Sequence, residues 1–152
     1  MAFQLTVHAF RNGGEIARIH TGEGADLAPG LEWSGEPEAA RSFVLIVDDP
    51  DAPVGTWNHW LLWDIPAGTH LIRQGFQPGT LGLSGTNDFG KAGYGGPMPP
   101  RGHGSHRYFF RLYASGKATL GLKAGGKRKD LDKALEGSIL AVAEYLGRYE
   151  RV

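Results

Sequence analysis

Polar and apolar positions alternate from Gln4 to Phe10, with Leu5, Val7 and Ala9 on one side, as expected for a strand with one buried face. Asn12-Gly13 follows, a dipeptide suited to a type I′ turn. It predicts a hairpin whose return strand covers Glu15 to Ile19, where Ile16 and Ile19 keep the alternation only in part. Gly22 to Gly30 reads as loop, and Leu31-Glu32-Trp33 starts another short strand. Ser42 to Val47 is continuously apolar and rich in β-branched residues, the pattern of a strand covered on both faces. Trp57 to Ile65 is the next strand, stopped by Pro66, and His106 to Tyr113 is another, rich in aromatics.

Two stretches depart from this pattern. Gly75 to Gly104 has no period and contains ten Gly and four Pro, so it reads as one long loop. Loops of that length inside compact domains usually serve a site. From about Asp130 to Tyr149 the apolar residues Leu131, Leu135, Ile139, Val142 and Leu146 recur at helical spacing, which predicts a C-terminal helix. Asp130 is placed to cap it, and Gly137 to kink or divide it. No repeat, low-complexity tract or linker breaks the chain, so a single domain over residues 1–152 is expected.

Polar groups gather where strands end among Gly and Pro. Asp48-Asp49-Pro50-Asp51-Ala52-Pro53 follows the buried strand, and its two prolines restrict where the carboxylates point. Taken alone it reads equally well as an acidic turn. In Trp57-Asn58-His59-Trp60, strand alternation puts Trp57 and His59 on one side and Asn58 and Trp60 on the other. A lone strand histidine is more often a core residue than a ligand. The third cluster runs from Gly93 to Tyr108, where His106 and Tyr108 share a face beyond a loop built for close backbone approach.

The strings DPDAP, NHW, GYGGPMPP and GHGSHRYFFRLYA, in this order, resemble the phosphatidylethanolamine-binding family, also called Raf kinase inhibitor-like proteins, and within it the bacterial YbhB/YbcL branch. The resemblance extends from about Leu31 to Tyr149. It implies a mainly β fold, an antiparallel β-sheet sandwich with peripheral helices, and one small anion-accepting pocket. The family's pocket positions fall on Asp49, Asp51, Ala52, Pro53, Trp57, His59, His106 and Tyr108, with a rim at Gly96, Met98 and Pro99. Arg107 belongs to the same HRY string but alternates away from His106. Met98 stands where bacterial relatives often have cysteine, and Ala28-Pro29 replaces a usual Ser-Pro. A tyrosine that walls the pocket in eukaryotic members has no secure counterpart in Tyr145 or Tyr149. The implied ligand is a phosphate or phosphoethanolamine-like headgroup, bound without chemistry or cofactor. A protein partner such as a kinase is a further implication of the family name.

Composition limits the alternatives. Sixteen Lys and Arg balance sixteen Asp and Glu, so nothing in the total charge points to nucleic acid or an acidic membrane. The basic run from Lys123 to Lys133 is interrupted by Gly and Asp and reads as a solvated loop leading into a helix. No cysteine is present for a disulfide or thiolate site. The N-terminus lacks a basic segment followed by an apolar core, and no apolar run could span a bilayer. A cytoplasmic protein without membrane insertion is expected. Exposed aromatics would suit a homodimer face, although no segment signals one.

Two enzyme readings use the same residues. A hydrolase would take His59 or His106 as base and Asp49 or Asp51 to orient it, but Ser105 alternates away from His106 and leaves no activated nucleophile. A metal site of two His and two Asp lacks the tight ligand spacing of known motifs.

Overall fold

The computed structural model describes residues 2–152. Two antiparallel sheets form its frame. β1 (Gln4–Val7), β2 (Leu31–Ser34) and β5 (Leu71–Ile72) make a three-stranded sheet in the order β1-β2-β5. β3 (Ser42–Asp49), β4 (Trp57–Pro66), β6 (Leu83–Ser84), β7 (His106–Ser115) and β8 (Ile139–Tyr149) make a five-stranded sheet in the order β6-β4-β3-β7-β8. The mainly β, two-sheet expectation holds.

The larger sheet explains why β3 is apolar throughout: it lies in the middle and is covered on both faces. Phe43, Leu45 and Val47 join Trp60, Leu62, Phe110 and Leu112 in the core that also takes Leu5, Val7, Leu31 and Trp33 from the smaller sheet. On the opposite face Val44 and Ile46 pack with Leu61, Trp63, Leu131 and Leu135. The last two belong to α1 (Arg128–Leu135), the protein's short α-helix.

The C-terminal helix is therefore much shorter than the periodicity predicts. After Leu135 the chain passes Gly137, whose φ of +76° suits glycine and ends the helix, and continues as β8. Ile139 and Val142, which complete the helical spacing, lie on the surface at 49% and 52% exposure. The residues of β8 that bury themselves are Ala143, Tyr145 and Gly147, at strand period. Asp130, the expected cap, lies instead at the third helical position: it sits three residues after the observed cap, Lys127, and accepts that residue's N–H at 3.1 Å.

The hairpin predicted at Asn12-Gly13 does not form. A turn is present, closed by the Gly14 N–H donating to the Arg11 carbonyl with Gly13 at φ +85°, but Asn12 lacks the positive φ of a type I′ turn and the following residues run along β8 instead of returning to β1. Gly13 N–H donates to Leu146, Ile16 N–H to Arg148, and Asn12 Oδ1 accepts the Leu146 N–H. Arg18–His20 is a 3-10 turn, where the return strand was expected to end. No helix in the described residues is long and apolar enough to cross a membrane.

Candidate functional site

A cavity of about 230 Å³ opens beside the ends of β3, β4 and β7. Its floor is polar and its walls are apolar. Asp49, His59, His106 and Tyr108 line it together with Trp57, Ala52, Pro53, Val54, Phe89 and the Met98–Pro100 segment.

Asp49 is the last residue of β3 and is 3% exposed. Both of its oxygens are engaged. Oδ1 accepts the Asp51 N–H at 2.7 Å, an Asx turn that folds the chain into the Pro50–Pro53 corner. Oδ2 accepts the Nδ1–H of His106 at 2.7 Å. The carboxylate thereby orients an imidazole that starts β7, and its charge is compensated by donors.

His59 owes its position to a bulge. Val47 pairs with Trp60 but Asp48 pairs with Asn58, so His59 is an extra residue on β4. The alternation expected for Trp57-Asn58-His59-Trp60 is thereby broken. Trp60 lies in the inter-sheet core, on the same side as the cavity, and only Asn58 turns to the other face, where its Oδ1 accepts from Arg128 at 2.8 Å. The Gly95 segment locks the bulged residue twice. Gly95 N–H donates to the His59 carbonyl at 2.8 Å, and His59 Nδ1–H donates to the Gly95 carbonyl at 2.6 Å. Burial pulls the His59 imidazole below its ordinary 6.5, partly opposed by that carbonyl and by Asp49. The ring is thus neutral, with Nε2 left as its second polar atom.

Tyr108, two residues after His106 on β7, stands edge-on to His59 with centroids 5.2 Å apart. Burial, reinforced by Asp49 and Asp51, raises its hydroxyl well above the usual phenol value. It remains an O–H donor throughout the physiological range. Phe89 closes one side, edge-on to both Trp57 and His59. Its neighbour Asp88 holds it there by accepting the Asn58 N–H at 2.6 Å and donating its own N–H to the Asn58 carbonyl.

Nine of the eleven residues singled out in the sequence line this one cavity: Asp49, Ala52, Pro53, Trp57, His59, Met98, Pro99, His106 and Tyr108. Asp51 does not. Its carboxylate is taken by Arg107 through Nε at 2.9 Å, Nη2 at 2.8 Å and the backbone N–H at 3.0 Å, which hold its pKa down to about 2. Gly96 does not line it either. A Cβ there would stand 2.2 Å from the His20 carbonyl oxygen, and its N–H is given to Asp26, so the glycine allows the loop to pack. Val54, Phe89 and Pro100 are lining residues that the sequence reading missed. Tyr145 bonds to the Phe10 carbonyl and Tyr149 to Glu23, and neither walls the cavity. Ser105 is exposed and outside it. Among the described residues no three His, Cys, Asp or Glu side chains are arranged to hold a metal ion.

Two antiparallel sheets with a small His/Asp/Tyr cavity at the strand ends define the class of protein, and comparison with known chains agrees. Residues 6–150 match the family model described as phosphatidylethanolamine-binding protein. A UPF0098 protein of Aquifex aeolicus is 49% identical over 146 residues, which is 94% of this chain and 85% of that protein. Escherichia coli YbcL is 34% identical over 161 residues, 98% of this chain and 88% of that one. The crystal structure of YbcL aligns with a TM-score of 0.91 at 33% identity over 99% of both chains. A phosphatidylethanolamine-binding protein homologue from Chlamydia trachomatis aligns equally well, at 35% identity over 99% of both. The chain belongs to the phosphatidylethanolamine-binding protein family.

Proposed function

We propose that the cavity binds a small oxyanion, a phosphate or a phosphorylated headgroup of the phosphoethanolamine kind, and that it does so without catalysing a reaction. The observation that carries this reading is the pairing of Asp49 with His106 beside His59 and Tyr108. With both Asp49 oxygens already accepting hydrogen bonds, the Tyr108 O–H is left to an anion, and an imidazole Nε2 becomes a second donor once protonated. Protonation of an imidazole on binding would supply the opposing charge. The exposed apolar rim of Val54, Phe89 and Met98 suits a ligand whose charged head continues into a larger body.

Hydrogen bonds to a charged group contribute about 1.5–3 kcal/mol each. Three or four of them, less about 4 kcal/mol or more for association, leave at most about 8 kcal/mol, an affinity no tighter than micromolar. The test follows the His59 and His106 imidazole signals by NMR while inorganic phosphate and phosphoethanolamine are titrated near neutral pH. Saturable shifts with rising imidazole pKa values are expected. Tighter binding of phosphoethanolamine would mean that the ammonium is recognised as well. Signals that stay still at millimolar ligand would overturn the reading.

A further inference from the structure

His103 lies outside the cavity lining yet reaches into its chemistry. It sits in the exposed turn before β7, between Gly102 at φ +72° and Gly104 at φ +89°. A Cβ at either glycine would meet nothing within 4 Å, so these residues are needed for backbone direction and not for space. Two left-handed residues in three fold His103 back over the strand that follows. Its Nδ1 comes within 2.6 Å of His106 Nε2, with ring centroids 4.8 Å apart and the planes at 66°.

His106 has two ring nitrogens. Nδ1 donates to Asp49, so Nε2 is the one atom through which this buried imidazole can hydrogen-bond to a ligand. His103 already occupies it. We propose that His103 is a latch on the anion site: an oxyanion reaches His106 only by displacing the His103 ring from Nε2. This inference rests on the oxyanion reading of the cavity.

The latch carries its own sensitivity to pH. Two imidazole nitrogens 2.6 Å apart can hold one proton between them. When both rings are protonated, two N–H groups face each other and the contact is repulsive. Other charged and titratable groups border the pair. Asp49 approaches from β3, His59 from β4, Tyr108 from β7, and Tyr149 lies opposite His106 on β8. Arg101 and Arg151 flank the turn through bonds to the Val152 oxygen and from the Gly102 N–H. Arg107 and Asp51 engage each other nearby. Of these, only Asp49 contacts the pair directly among the side-chain bonds, and it fixes the His106 proton on Nδ1. His103 therefore donates its Nδ1–H to Nε2, and only a further proton placed on His106 Nε2 sets two N–H groups against each other.

The experiment measures inorganic phosphate binding by calorimetry for the wild type, His103→Ala and His103→Asn at about pH 7.5 and pH 5.5, either side of the imidazole range. At the higher pH the alanine variant is expected to bind about three- to tenfold more tightly, the equivalent of one hydrogen bond no longer broken. The Asn variant, which can still reach Nε2 with an amide N–H, is expected to fall between. A smaller advantage of Ala at the lower pH is the result expected where a second proton, on His106 Nε2, breaks the contact. The charge change of phosphate itself cancels in the ratio between variants. Weaker binding by His103→Ala would make His103 a ligand donor and overturn the latch; equal affinities would show the contact to be idle and also overturn it. Binding by the wild type in either case leaves the oxyanion reading standing. Absence of binding in all three proteins would remove that reading and the latch together.

Discussion

His106 and Asp49 are 57 residues apart in the chain and 2.7 Å apart in the fold, with side chains 2% and 4% exposed. The pair joins the start of β7 to the end of β3, adjacent strands of the five-stranded sheet. A carboxylate removed from water this completely must be fully bonded, and its second oxygen accordingly takes the Asp51 N–H.

That double use predicts the effect of Asp49→Asn. Asparagine keeps the shape but presents one acceptor and one donor to two N–H groups. Either the His106 or the Asp51 N–H then faces an amide N–H. A buried donor left unsatisfied costs about 1–3 kcal/mol. Chemical unfolding should show a loss of that size, and phosphate affinity should fall about tenfold or more because His106 is no longer oriented. Unchanged affinity in a folded variant would dismiss Asp49 from the site.

Asp51 should behave differently although it lies two residues away. Its carboxylate serves Arg107 outside the cavity, so Asp51→Asn is expected to leave phosphate affinity within about twofold, as for other changes that touch no ligand contact. Its stability contribution has a definite pH window. The folded pKa is lowered from 3.8 to about 2, so the contribution is present above the unfolded value and is lost as pH falls through the folded one. The unfolding midpoints of wild type and Asp51→Asn should therefore differ at neutral pH and converge toward pH 2. The pair is partly exposed and open to screening, so the difference should be small and should shrink with added salt.

His59 gives the opposite kind of linkage to the usual histidine partner. Burial lowers its folded pKa below 6.5, so the unfolded chain takes up a proton in a range where the folded one does not. Stability from this residue is complete above 6.5 and declines as pH falls toward the folded pKa. A His59→Gln variant should show a flatter dependence of unfolding midpoint on pH below 6.5 than the wild type. An equally steep dependence in the variant would assign the slope to another group.

The sequence revealed the central strands because their burial is simple. β3 is covered on both faces and reads as an unbroken apolar run, and β7 alternates cleanly through Tyr108, Phe110 and Leu112. β8 misled for a physical reason. One of its inward positions is Gly147, which no hydropathy pattern counts, yet Ile16 and Phe10 pack so closely that a Cβ would fall within 2.7 Å of both. Meanwhile Ile139, Leu140 and Val142 are exposed, so the apolar residues of this strand are poor guides to its buried side. The Asn12-Gly13 turn was recognisable, but its partner strand is more than a hundred residues away, and turn chemistry carries no information about distance.

Within the site, the legible part was local. DPDAP and HRY each place their residues by strand alternation or a tight turn. Phe89 was not legible, because Asp88 ties it to Asn58 across 30 residues. The bulge at His59 was equally hidden: it shows only in the unequal pairing of β4 with β3, and it reverses the side on which Trp60 falls.

The Gly96 position tests whether the rim is set by packing. The segment before Met98 threads against the 3-10 turn, where Tyr94 O–H donates to the His20 carbonyl and Gly96 N–H donates to Asp26 Oδ1 at 2.8 Å. Gly96→Ala would bring a methyl group to 2.2 Å from the His20 carbonyl oxygen and 2.4 Å from Asp26 Oδ1. Asp26 is exposed and its side chain can turn aside, but the carbonyl is backbone and cannot. Overpacking of this kind costs about 1–3 kcal/mol, and the rigid neighbour argues for the upper end. The same displacement would pull Gly95 from His59, since both of its bonds to the bulge lie one residue away. Thermal unfolding should therefore show the loss of stability, and the NMR signal of His59 should shift in the unliganded protein. A full-stability variant with an unmoved His59 signal would mean that the rim tolerates the methyl group and that the glycine is dispensable.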